Sequence, residues 1–144
     1  YTSYPTAPLF SPAFTAADFR NEIVATNGPG TTADLSLYVH IPFCDTLCFF
    51  CGCTMLVTRD RKRIDEYLRY LKAEIAQVSS LIAPGRKVTQ LHWGGGTPTH
   101  LSPEEMRGLA SALRSAFEFA PAQLGEDSVR SAVVAREDDH RPLF

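Results

Sequence analysis

An excess of either charge is absent from this sequence: 14 Lys and Arg stand against 16 Asp and Glu in 144 residues, a formal net charge of −2. That balance gives no electrostatic reason to expect nucleic acid or an anionic membrane as a partner. Also missing is any apolar run near the roughly 18 to 20 residues that span a bilayer. The start, YTSYPTAPLF, lacks the basic-then-apolar order of a secretory signal. A cytoplasmic location is therefore the default expectation. There is no initiator Met, because Tyr1 stands first, as expected of a piece of a longer chain. Phosphate-binding signatures are lacking too: neither G-x-G-x-x-G nor the lysine-bearing G-x4-G-K form can be read across the glycine run at Gly94 to Gly96. Cysteine is absent outside ten residues, Cys44 to Cys53, which hold all four.

What remains is the composition of a soluble globular domain, 44% apolar and 21% charged, in a chain long enough for one ordinary core. Residues 1–33 open with prolines among aromatics and hydroxyls, which suits an extended N-terminal arm. A short helix is expected at Ala16 to Ala25, capped by Thr15, before the turn-rich NGPGTT. Leu35 to Ile41 (LSLYVHI) reads as a strand buried on both faces of a parallel sheet. Ile64, Tyr67, Leu68, Leu71, Ile75, Val78 and Ile82 lie at helical spacing, so a helix is expected from Arg61 to Ile82, stopped by Pro84-Gly85.

A second strand is expected over Val88 to Trp93, with GGGTPT as the loop leaving it. Ser102, Pro103 and Glu105 then form a capping-box start for a helix to about Phe117 that buries Met106, Leu109, Leu113 and Phe117. The fold class is α/β: two consecutive βα units, whose post-strand loops, Cys44 to Cys53 and Gly94 to Thr99, should lie side by side at one sheet edge. Residues 121–144 are mostly polar with no clear period, and weak order is expected there. The charged stretch Thr58 to Tyr67 reads as a solvated face with its own i,i+4 pairs. His40 and His92 read as packed, hydrogen-bonded strand residues.

The cysteines are spaced Cys44-x3-Cys48-x2-Cys51-x-Cys53, and four explanations compete. Disulfides would close very small loops in a chain with no mark of export. Structural zinc usually draws two cysteine pairs from separate segments. Cys48-x2-Cys51 alone could be a redox pair, but such a pair needs no further cysteines. An iron–sulfur cluster is spread widely enough for one irregular loop to wrap it, with Phe43, Phe49 and Phe50 as shielding. For any one of these rings, ordinary core packing is the simpler assignment.

Cys-x3-Cys-x2-Cys with Phe50 before its last cysteine resembles the signature of radical S-adenosylmethionine (SAM) enzymes. With YTSYPTA, YVHIPFC, Cys53 and LHWGGGTPT added, the stretch from Tyr1 to about Ala120 is similar to the oxygen-independent coproporphyrinogen III oxidase family. The resemblance implies an incomplete radical SAM barrel over residues 34–120. It implies a 4Fe-4S cluster on Cys44, Cys48 and Cys51, with Cys53 not a ligand, and SAM contacts from Tyr38, Phe50, Gly95, Gly96 and Thr97. In that family an electron from the cluster cleaves SAM to a 5′-deoxyadenosyl radical, and two propionates of coproporphyrinogen III become the vinyl groups of protoporphyrinogen IX.

An electron-donor protein and a monomeric state are expected with it. The alternatives are a haem-binding radical SAM relative without oxidase activity, or a non-enzymatic zinc or iron–sulfur module. The family's acidic E-x-D-P-R motif is not found after Phe119, and a complete barrel needs about 250 residues. An N-terminal piece, with a tail divergent from the family, is therefore expected.

Overall fold

The computed structural model describes residues 11–28, 30, 33–47 and 54–121. The expected weak tail beyond residue 121 falls outside them, as do residues 1–10 of the N-terminal arm and Cys48, Phe49, Phe50, Cys51 and Cys53. The first element, α1 (Ala16–Ala25), starts where expected. The Thr15 hydroxyl accepts from the Asp18 N–H at 3.3 Å, and the Asp18 carboxylate accepts from the Thr15 N–H at 2.8 Å. The Thr15 hydroxyl and amide together hold the Asp18 carboxyl below its ordinary range. No residue of α1 is buried.

Strand β1 (Leu35–Ile41) matches the expected range. It pairs in parallel with β4 (Lys87–Gly95), which pairs in parallel with β5 (Glu118–Phe119). The sheet order is β1-β4-β5. Parallel neighbours need long crossovers, and α2 (Arg61–Ser79) and α3 (Pro103–Ala116) provide them. Alternation along β1 sends Val39 and Ile41 into the core with Phe43, Ile64, Leu68, Ile75, Leu101, Leu109 and Leu113, while Tyr38 is exposed. Both faces of β1 were expected to be buried; only one is.

Several boundaries differ from expectation for local reasons. Helix α2 ends at Ser79, short of Ile82, because Leu81 and Ile82 donate to the carbonyls three residues back, tightening the last turn. Strand β4 runs on through Gly94 and Gly95, which stay in register with His40 and Ile41. Met106 and Phe117 only flank the core that Leu109 and Leu113 enter. Strand β5 is two residues long, too short for any periodicity to announce it. A second small sheet was also unforeseen: β2 (Phe43–Cys44) pairs in parallel with β3 (Leu56–Val57).

The charged start of α2 is stapled to α3 as well as solvated. Its ion pairs along the helix are i,i+3, Arg63 to Asp60 and Arg69 to Glu66, while Arg61 reaches across to Glu105. Glu105 also closes the capping box, accepting from the Ser102 N–H at 2.7 Å. Burial pushes its carboxyl up, but the Ser102 amide, Arg61 and the Ser102 hydroxyl outweigh this, and the net pKa is lowered from 4.5. A depressed carboxyl stabilises the fold above its unfolded pKa, and that contribution is lost as pH falls through the lower folded value. Denaturation midpoints should therefore fall as pH drops below about 4.5. In Glu105→Gln, part of that acid dependence should vanish; identical acid limbs in the two proteins would sink the assignment.

Candidate metal centre at the strand ends

Strand β1 runs through Pro42 directly into β2, so its register carries Cys44 to the sheet edge where β4 ends. The stem of the cysteine loop is held on both sides. Leu56 N–H donates to the Pro42 carbonyl at 2.7 Å and Thr58 N–H to the Cys44 carbonyl at 3.2 Å. Cys44 is buried, at 8% exposure, and is the one expected metal ligand among the described residues. Phe43 follows the simpler assignment: it is 2% exposed, lies in the core and meets Tyr67 edge-on at 5.3 Å.

The three consecutive glycines each answer a different neighbour. A Cβ on Gly94 would stand 2.8 Å from the Tyr38 ring. Gly95 has φ +102 and would press the His40 ring at 2.7 Å. Gly96 would meet the Phe43 carbonyl oxygen at 2.6 Å and Cys44 Sγ at 2.9 Å. The glycine loop therefore lies directly against the start of the cysteine loop. Gly96 N–H donates to the Ile41 carbonyl at 2.8 Å and Thr97 N–H to the Phe43 carbonyl at 2.7 Å. Thr97 Oγ1 is 3.7 Å from Cys44 Sγ.

On the open face of the sheet, His40 orders Tyr38. The Thr54 carbonyl can only accept, so His40 Nε2 carries the hydrogen of that 2.9 Å bond. In the neutral ring Nδ1 is then an acceptor, and the Tyr38 hydroxyl donates to it at 3.1 Å. Tyr67 donates to the His40 carbonyl at 2.5 Å; burial, then Glu74 and Tyr38, raises its pKa. His40 is thus hydrogen-bonded as expected. His92 is not packed as expected but exposed, stacked on Tyr38 at 5.8 Å and 17°.

Tyr38, Gly95, Gly96, Thr97 and Cys44 therefore share one edge, while Phe50, Cys48 and Cys51 lie outside the described residues. Among the described residues no three His, Cys, Asp or Glu side chains converge on a metal position. The part that is described suits a soft metal. A Cys44 thiolate can only accept, so Thr97 Oγ1 would be the donor to it. Sequence reasoning missed Asp45 and His100, since no short-range pattern links them. His100 is 5% exposed at its side chain, and its Nδ1 lies 3.2 Å from Asp45 Oδ1. Its Nε2 has no hydrogen-bond partner among the described residues.

No protein-family model matches the chain. It is 48% identical over 119 residues to the oxygen-independent coproporphyrinogen III oxidase of Escherichia coli (strain K12), an overlap that covers 83% of this chain and 25% of that protein. The same-named protein of Mannheimia haemolytica is 47% identical over 120 residues, covering 83% of this chain and 79% of the relative. The solved structure of Escherichia coli coproporphyrinogen III oxidase, described as a radical SAM enzyme, superposes with a TM-score of 0.73 at 44% identity. That match covers 94% of this chain and 32% of the other. The chain thus spans about a quarter of the length of its Escherichia coli relative.

Proposed function

Because the chain belongs to the oxygen-independent coproporphyrinogen III oxidase family, we propose that it carries the cluster loop and part of the SAM site of a radical SAM oxidoreductase. The complete protein would convert two propionates of coproporphyrinogen III to the vinyl groups of protoporphyrinogen IX, in porphyrin and haem biosynthesis. A 4Fe-4S cluster on Cys44, Cys48 and Cys51 would supply, when bound, the electron that cleaves SAM. One observation carries this reading: the turn after the glycine run touches the backbone of Phe43 and the sulfur of Cys44, so cluster loop and ligand loop share one edge.

The chain's own residues then have distinct tasks. Cys44 donates its thiolate to the metal, and Thr97 donates a hydrogen bond to that sulfur. Gly95 and Gly96 let the loop lie close against His40 and the start of the cysteine loop, where its backbone groups would contact SAM. Tyr38, oriented by His40, offers an exposed ring and a fixed hydroxyl to the same ligand, and Phe50 completes the SAM contacts. An electron-donor protein, a cytoplasmic setting and a monomeric state belong to the same reading. No helix among the described residues is long and apolar enough to cross a membrane. The cofactors carry the hard chemistry, and the protein orients and shields them.

Anaerobic reconstitution with iron and sulfide, followed by electron paramagnetic resonance of the reduced protein, tests the proposal. A 4Fe-4S signal that changes when SAM is added is the expected result. Zinc as the only metal bound would refute it.

A further inference from the structure

We propose that His100 is a positioning residue for the cluster, acting through Asp45 on the first ligand, Cys44; this rests on the cluster reading above. A single 3₁₀ turn, Pro98–His100, follows Thr97 and is closed by the His100 N–H to the Thr97 carbonyl at 2.8 Å. Thr97 and this turn grip three successive residues of the departing loop. The Thr97 amide holds the Phe43 carbonyl at 2.7 Å, the Thr97 hydroxyl meets Cys44 Sγ at 3.7 Å, and His100 Nδ1 meets Asp45 Oδ1 at 3.2 Å.

The third contact is the one that sequence patterns and family resemblance leave without a role. The Asp45 carboxylate can only accept, so Nδ1 carries the hydrogen whatever the charge of the ring. The ring is buried beside Phe43, with centroids 6.1 Å apart, and its other nitrogen is buried with no partner among the described residues. A phenyl ring would fill this apolar position without leaving a nitrogen unpaired. What the imidazole adds is the bond to Asp45, an exposed residue. The turn is anchored in the body of the fold, since Arg61 donates to the His100 carbonyl at 3.4 Å while paired with Glu105 at the start of α3. The backbone on the far side of Cys44 is thereby tied to the N-termini of α2 and α3. Hydrogen-bonded groups just outside a metal's own ligands fix how those ligands point, and His100 would act on Cys44 in that way through the adjoining residue Asp45.

The test uses the 144-residue chain, reconstituted with iron and sulfide alone, without SAM. Two quantities are read: the resonance spectrum of the reduced cluster, and its rate of loss to an iron(II) chelator. His100→Phe and Asp45→Ala should each shift the spectrum and speed cluster loss several-fold. Asp45→Asn should match the unaltered chain, because its amide oxygen still accepts from Nδ1. Asp45 lies at the surface, so the Ala variant will fold even if the Phe variant does not.

Unaltered spectra and loss rates in His100→Phe and Asp45→Ala would overturn the proposal, as would an Asn variant as impaired as the Ala one. Cys44→Ala separates the two levels. Loss of the cluster there, with no effect at His100 or Asp45, sinks only the positioning role. A cluster that survives Cys44→Ala sinks the site itself.

Discussion

Cys44→Ala is expected to abolish the cluster, with iron and sulfide per chain falling to background after anaerobic reconstitution. The expected ligand set has three cysteines, and alanine offers no donor, so one removal leaves too few thiolates to hold the irons. Unfolding would not account for the loss. Cys44 is buried at 8% exposure, but deleting one sulfur removes about one methylene's worth of burial, roughly 1 kcal/mol. The circular dichroism spectrum should stay unchanged while the metal is lost. Cys48→Ala and Cys51→Ala should behave alike, and Cys53→Ala should keep its iron. Equal iron loss in all four variants would refute that division of roles.

Gly96→Ala should be strongly damaging. Its new methyl would stand 2.6 Å from the Phe43 carbonyl oxygen and 2.9 Å from both Cys44 Sγ and the Pro42 carbonyl carbon. No rotamer change relieves two backbone contacts. That backbone is pinned by bonds to the Thr97 and Leu56 amides, each 2.7 Å long. Overpacking of this kind costs about 1–3 kcal/mol, and it should also pull Thr97 away from Cys44.

Gly108 provides the contrast. Its added methyl would meet only the Lys72 ammonium, at 3.4 Å, the mobile end of a flexible side chain. Within α3 the exchange of Gly for Ala gains up to about 1 kcal/mol of helix propensity. Urea denaturation should show a lowered midpoint for Gly96→Ala and an equal or raised one for Gly108→Ala, at unchanged slope. A Gly96→Ala midpoint equal to that of the unaltered chain would contradict the packing argument.

Much of this molecule is written in short-range pattern. Thr15 with Asp18, and Ser102 with Glu105, mark the starts of α1 and α3 because a capping box closes within four residues. The spacing from Ile64 to Ile75 specifies the buried stripe of α2 because a helix repeats every 3.6 residues. The β-prone, mostly apolar run Leu35–Ile41 gives a strand of that length. The cysteine spacing and its flanking motifs point to the family before any coordinate is known. Each of these signals lives within a few residues of chain, where steric and hydrogen-bonding rules act without help from the rest of the fold.

Tertiary structure alone decided why there are three glycines, since their neighbours Tyr38 and His40 lie on β1, brought alongside β4 by parallel pairing, and Cys44 lies on β2 just beyond it. It also decided the β2–β3 stem, the two-residue β5, and the grip of Thr97 and His100 on the loop. Cys44 and Thr97 are 53 residues apart in sequence. A contact of that range exists only once β1 and β4 lie in register, because backbone pairing, not local propensity, sets which side chains face each other across a parallel sheet.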